Sequence, residues 1–392
     1  MRRFLSALVL GGVGIFLLEG MSAVAQGPMR ASSFEVWVSD QEGDRLLVLD
    51  GTTLDVLTEI PTDEDGEPAT SKPHMVLFSP DGRYAYVALV AAGSVAVVDA
   101  RTKRVVTTIP TGKRAHAPMP SPDGTRLLVV NVGDSTVTEI LADTRRGVFR
   151  KGRTIPVGPR PICLLFTADG AKAYVTLGGD PEAEDPAATG GIEVIDVARG
   201  EVRKRFENTG KNGCGLARYT PDERVMFANV GQPLNRLYAF DTEREELLFQ
   251  TEAGVDDAHG LWVSPQGAVW VFGRRDGRVR VFDFDVQQGF RPQGEFTMRP
   301  GLDLLDASPD GSRLFVAVRG PAGGGETPGV AVIDVTQRRE ARFVPLGDDP
   351  HGLAVRVADA PARPMGRMPM PFPWMPLLLL GALVVLIVVL RR

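Results

Sequence analysis

Between residues 34 and 357 the chain alternates short apolar runs, rich in Val, Ile, Leu and aromatic residues, with clusters of Gly, Pro, Asp and Ser. Runs this short and this rich in β-branched side chains predict β-strands, not helices. One turn recurs beside them: Ser79-Pro80-Asp81-Gly82, Ser121-Pro122-Asp123-Gly124, Thr167-Ala168-Asp169-Gly170, Thr220-Pro221-Asp222-Glu223, Ser264-Pro265-Gln266-Gly267 and Ser308-Pro309-Asp310-Gly311. Proline presets φ at the second turn position, Asp bonds to the local backbone, and Gly accepts positive φ. Successive turns start 42, 46, 53, 44 and 44 residues apart, a period that belongs to propellers or solenoids.

Each turn lies between two strand-like runs. Tyr84-Ala85-Tyr86-Val87 follows the first and Leu314-Phe315-Val316-Ala317 the last. A third run closes on Asp, as in Ser94-Val95-Ala96-Val97-Val98-Asp99, and a fourth, Val105-Val106-Thr107-Thr108-Ile109-Pro110, leads into the next unit. Four short strands per period make a propeller blade. Six units are complete. Residues 34–60 supply a second, third and fourth strand without a first, and residues 351–357 supply a first strand alone. The expected fold is therefore all-β, a seven-bladed β-propeller closed by strands from both termini, because closure removes the sheet edges a linear array leaves open. Two longer connections, 179–190 and 319–329, occupy equivalent places between second and third strands and are expected on one rim.

Five residues before each turn lies one repeat position, occupied in order by His74, His116, Ile162, Gly215, His259 and Asp303, with His351 at that place in the final strand. All four histidines of the chain thus share one position, on the strand nearest the channel of a propeller. His74, His116, His259, Asp303 and His351 are the candidate channel ligand-binding residues. Three readings apply to them. The first makes histidine a repeat residue that caps the first strand through a local hydrogen bond. The second makes the ring a contact for an organic ligand or cofactor. The third makes the same histidines metal ligands, since imidazole binds zinc, copper or iron and a carboxylate completes or orients such a set. No cofactor is assigned, and a transition metal or haem is the alternative; no catalytic residue is assigned.

Composition narrows the partners. A net charge of −5 with 24% charged residues lacks the concentrated basic surface that nucleic acid demands. No P-loop, G-x-S-x-G, H-E-x-x-H or dinucleotide-binding fingerprint occurs. Asp63, Glu64, Asp65 and Glu67 lack the spacing and central glycine of an EF-hand loop and read as a solvated turn. Residues 1–25 read as a signal peptide, with Arg2 and Arg3, an apolar stretch, and Ala23-Val24-Ala25 before the cleavage point. Residues 358–370 form a Pro/Met-rich tether, and 371–390 are expected to form a transmembrane helix. Arg391 and Arg392 prefer the cytoplasmic side, so the propeller, residues 34–357, is expected in the periplasm or outside, on a single-pass bacterial inner-membrane protein. That compartment permits a disulfide between Cys163 and Cys214.

The pattern Pro-His-x-x-x-x-Ser-Pro-Asp-Gly-x-x-x-Tyr-Val, clearest from Pro73 to Val87, resembles the YVTN family of β-propeller repeats. The resemblance spans about residues 34–357. It implies the propeller fold, and its wider circle includes cytochrome d1-type haem domains, quinone-linked dehydrogenase subunits and lactonases. A d1-type role would direct attention to His74, His116, His259 and His351; a lactonase role needs an acidic metal set, toward which only Asp303 is well placed. The expected function is a membrane-tethered extracytoplasmic binding or scaffolding propeller that recognises a protein or small ligand. The alternative is a redox or hydrolytic enzyme, or a cofactor- or metal-handling protein, with its site in the central channel.

Overall fold

The computed structural model describes residues 34–63, 70–183, 185, 189–207, 217–220 and 222–357. The export signal, tether and membrane span expected from the sequence, together with Cys214 and Gly215, lie outside the described residues. Among the described residues no helix is long and apolar enough to cross a membrane.

The chain opens with β1 (Phe34–Asp40), β2 (Arg45–Asp50) and β3 (Val56–Pro61). The first complete blade follows as β4 (Pro73–Phe78), β5 (Tyr84–Leu89), β6 (Ser94–Asp99) and β7 (Arg104–Pro110). The second is β8 (Ala115–Pro120), β9 (Arg126–Asn131), β10 (Thr136–Asp143) and β11 (Val148–Pro156). The third is β12 (Pro161–Phe166), β13 (Lys172–Leu177), β14 (Gly191–Asp196) and β15 (Glu201–Glu207). The fourth is β16 (Ala217–Tyr219), β17 (Val225–Val230), β18 (Arg236–Asp241) and β19 (Glu246–Glu252). The fifth is β20 (Ala258–Val263), β21 (Val269–Gly273), β22 (Arg278–Asp285) and β23 (Gly289–Thr297). The sixth is β24 (Leu302–Ala307), β25 (Arg313–Val318), β26 (Gly329–Asp334) and β27 (Arg339–Pro345), and β28 (Pro350–Val357) ends the series.

Each set is one four-stranded antiparallel sheet, and the seventh sheet has the order β28-β1-β2-β3. The expected closure is therefore the observed one: Val36, Trp37 and Val38 of β1 pair with Val355, Ala354 and Leu353 of β28. The first strands form a closed circuit, with β28 beside β24 and β4, and β8, β12, β16 and β20 filling the remaining places. The chain is a seven-bladed β-propeller.

Burial follows a strand's place in its blade. β5 is buried along its length, whereas the outer strand β7 alternates between exposed and covered positions. The apolar core lies between blades. Trp37, Leu46 and Val48 pack on Val76, Ala85 and Val87 of the next sheet. Tyr84, Tyr86 and Val97 meet Leu127 and Val129 in the same way. Such two-sided burial is why the second and third strands read as continuous apolar runs.

The repeated turn is a hydrogen-bonded unit. Ser79 Oγ donates to Asp81 Oδ1 at 2.6 Å, and Asp81 Oδ1 accepts the Arg83 N–H at 3.1 Å. Gly82 takes φ +66°, where a side chain would strain the backbone. These turns join first to second strands. The starts of the first strands and the second-to-third connections consequently lie together on the opposite face.

Candidate functional site at the channel mouth

The first strands bulge where the candidate residues sit. Pairing with the second strand slips between Pro73 and Val76, between Ala115 and Pro118, between Ala258 and Leu261, and between Leu302 and Leu305. A bulge bends its strand and re-aims the side chain it carries. The residue two places ahead of four of the five candidates has positive φ: Lys72 at 49°, Arg114 at 56°, Asp257 at 59° and Gly301 at 92°. Backbone groups released by the bulges find polar side chains on a neighbouring blade. Asn229 Nδ2 donates to the His259 carbonyl at 2.8 Å, and Ser39 Oγ donates to the carbonyl of His74.

All four histidines and Asp303 come together. His74 Nε2 lies 2.6 Å from His116 Nε2 and 2.8 Å from His351 Nε2. The other face of His351 reaches Asp303, with Nδ1 2.9 Å from Oδ2, and His259 Nε2 lies 2.8 Å from Asp303 Oδ1. The result is one chain of contacts, His116–His74–His351–Asp303–His259, across four consecutive inner strands and β8. The Asp303 side chain is fully buried, and the side chains of His259 and His351 are each 3% exposed.

Proton placement follows from Asp303. Burial works against its charge, but His259 and His351 on either side hold its carboxyl well below the usual carboxylate range. As a carboxylate it favours a ring proton on the nitrogen that faces it, Nδ1 of His351 and Nε2 of His259. Neutral His351 then carries its proton on Nδ1 and offers an Nε2 lone pair to His74. Burial, reinforced by the neighbouring His116 and His351, keeps His74 well below its ordinary value. Burial likewise brings His116 down to about 3 and His351 to about 4, the latter against the pull of Asp303. His74 Nε2 faces both His351 Nε2 and His116 Nε2. Burial thus favours the neutral form of His74, His116 and His351 beside the anionic Asp303.

Two arginines approach that charge. Arg274 Nη1 and Arg319 Nη1 each stand 3.8 Å from Asp303 Oδ2. Arg274 is oriented by Asp257, whose Oδ2 accepts from Nε at 2.8 Å, and Arg319 Nε donates to Asp349 Oδ1 at 3.0 Å.

Beside the histidine chain opens a cavity of about 360 Å³. His116 and His259, the two ends of the chain, both line it, together with Arg114, Arg160, Ile162, Arg274 and Arg275. The sequence pattern located the histidines and Asp303 but missed the arginines. The signal for two of them was present: Arg114 and Arg160 stand two residues ahead of His116 and Ile162 in the repeat register. Arg274 and Arg275 come from the β21–β22 connection, outside the repeated positions.

The imidazole spacing bears on the metal alternative. Zinc–nitrogen bonds of ~2.0–2.1 Å at tetrahedral angles hold two ligand nitrogens about 3.3 Å apart. The nitrogens of His74, His116 and His351 approach more closely than that, at hydrogen-bond separations. Among the described residues no group of three or more His, Cys, Asp or Glu side chains is arranged to hold a metal ion. Cys163, on β12, is buried.

No protein-family model and no curated protein matches the chain. Solved structures do. The chain is similar to a functionally unknown protein from Desulfotomaculum acetoxidans at 15% identity, with TM-score 0.66, over 84% of this chain and 100% of that one. It is similar to hydrazine synthase of Kuenenia stuttgartiensis at 18% identity and TM-score 0.58, over 71% and 88% of the two chains. A chain of the mitotic checkpoint complex matches at 14% identity and TM-score 0.62, over 78% and 87%. At such identities the likeness is one of fold.

Proposed function

We propose that the chain is a membrane-tethered extracytoplasmic propeller that binds a small ligand at the mouth of its central channel. The observation that carries this reading is the cavity of about 360 Å³ into which His116, His259, Arg114, Arg160 and Arg274 converge. Its size falls within the ~300–1,000 Å³ of small-molecule sites, and a few convergent polar groups around an apolar patch are what such sites present. The buried hydrogen-bonded chain behind it fixes His116 and His259 in place, which lowers the ordering cost of binding.

The test is native mass spectrometry of the exported domain against an Ile162→Trp variant, in which the indole fills the cavity. A small molecule retained at one per chain by the wild type and lost in the folded variant supports the reading. Equal retention by both defeats it. A reporter fused after Arg392 tests the tether: cytoplasmic signal supports the proposed orientation, and external signal opposes it.

A second reading, that the histidines handle a cofactor or metal, draws on the convergence of His74, His116 and His351 around their Nε2 atoms, whose spacing would have to widen to admit an ion. Elemental and absorbance analysis of protein purified without added metal or a histidine tag decides it. Stoichiometric metal or haem, lost on replacing His74, would displace the simple binding role.

A further inference from the structure

The exposed large apolar side chains of the described residues all lie toward one face of the ring. Val56 and Leu57 begin β3, Val106 is third in β7, and Leu141 and Val148 flank the β10–β11 turn. Leu247 is second in β19, and Val286, 58% exposed, stands in the β22–β23 turn. Third strands end and outer strands begin on the face of the Ser-Pro-Asp-Gly turns. These side chains therefore rim that face, on blades seven, one, two, four and five. Among the described residues, no large apolar side chain is exposed on the connections around the channel mouth. Single exposed apolar residues need no explanation, but their confinement to one side of five blades does. The adjoining turns carry both signs of charge, Arg101 and Arg145 beside Asp99 and Asp143, so the common character of the rim is apolar.

The propeller also ends on this face. Val357, last in β28, pairs with Phe34, first in β1, at the turn ends of both strands. We infer that the rim rests on the interface of the bilayer that holds the tether, and that the channel mouth opens toward the aqueous side. The inference depends on the membrane tether proposed above and adds which face meets the lipid. Residues 358–370 reach about 40 Å at ~3.1 Å per residue. To turn the mouth toward the same bilayer they would have to pass three strand spacings outward, about 14 Å, and a six-residue strand's depth, about 20 Å. That path takes most of their reach, whereas the turn face lies directly at their start. Tethering also raises the local concentration of lipid, so a modest apolar rim suffices for contact. The cavity on the far face then receives its ligand from water, not from the bilayer.

The test places an environment-sensitive fluorophore on the intact chain in phosphatidylcholine vesicles, at Val148→Cys on the rim or Lys113→Cys beside the mouth. Both carry Cys214→Ser; Cys163 is buried. A nitroxide at a shallow acyl position should quench the rim probe at least twofold more than the mouth probe. Leu57→Glu, Val106→Glu and Val286→Glu together should bring the rim probe down to the mouth value at unchanged melting temperature. Equal quenching at both positions, or stronger quenching at the mouth, in protein that resists alkaline carbonate extraction overturns the rim contact and leaves the tether standing. Release by carbonate overturns the tether and the inference with it. A rim probe shielded in detergent alone, more so as protein concentration rises, would assign the rim to a second copy and overturn the lipid assignment.

Discussion

Asp40 Oδ1 accepts the backbone N–H of Asp349 at 2.8 Å, joining the first strand of the chain to the approach of the last. The same oxygen takes the Asp348 N–H at 2.7 Å, and Arg45 Nε lies 3.0 Å from the other carboxylate oxygen. The Asp40 side chain is fully buried. Asp40→Ala leaves two backbone donors and an arginine without their acceptor. Hydrogen bonds to charged groups contribute about 1.5–3 kcal/mol, so a loss of about 2 kcal/mol is expected. Denaturant unfolding should show a lower midpoint at unchanged slope.

The histidine chain makes stability fall in mild acid. Unfolded imidazoles take protons around the ordinary value of 6.5, whereas folded His116 and His351 resist them down to about 3 and about 4. The unfolded state therefore binds more protons between these limits. The stabilisation is complete above pH 6.5 and is lost as pH falls toward 4. Arg319 and His259 oppose a proton on His351, Arg114 opposes one on His116, and Asp303 favours one on His351. A decline of about 5 kcal/mol, roughly 2.5 from each of these two imidazoles, is expected between pH 7 and 4.5. His116→Gln should remove about half of this slope, measured by denaturant titration across that range.

Asp303→Asn replaces the carboxylate that stands between His259 and His351 by an amide of the same shape. One of its two faces becomes a donor directed at an N–H, and Arg274 and Arg319 lose their common anion. A loss of about 3 kcal/mol is expected. In nitrogen-detected NMR the His351 ring should also leave its Nδ1–H tautomer. Unchanged tautomers with reduced stability would mean that Asp303 acts by charge alone.

Gly352 follows His351, and a methyl group built on it would overlap the His74 carbonyl and come within 2.8 Å of Ser39 Oγ. Gly352→Ala should therefore force β28 away from β4 and lengthen the His74–His351 contact. Increased exchange of the His74 and His351 ring protons, together with a lower melting temperature, would report this.

The turn and strand patterns made the ring legible because Ser-Pro-Asp-Gly turns and paired apolar runs are local features with local causes. Blade seven was legible too, since three strands at one end and one at the other complete a blade. The shared position of His74, His116, His259, Asp303 and His351 could be counted along the chain. Their mutual contacts could not, because each depends on a bulge such as that between Ala115 and Pro118, which no single residue announces. The roles of Arg274 and Arg275 were hidden for another reason. They stand in a connection outside the repeated positions, which the pairing of Ala258 with Gly273 sets beside His259.

The closing strand also imposes a schedule. Asp40 and Asp349 are 309 positions apart, so β1 meets its partner only after nearly every other strand has been made. At synthesis rates of about 5–20 residues per second, that interval is roughly 15–60 s. During it the Val36-Trp37-Val38 edge has no strand to pair with on one side, and unpaired apolar edges are where chains join one another. The hazard of misassembly is thus concentrated in one early segment and ends with one late one.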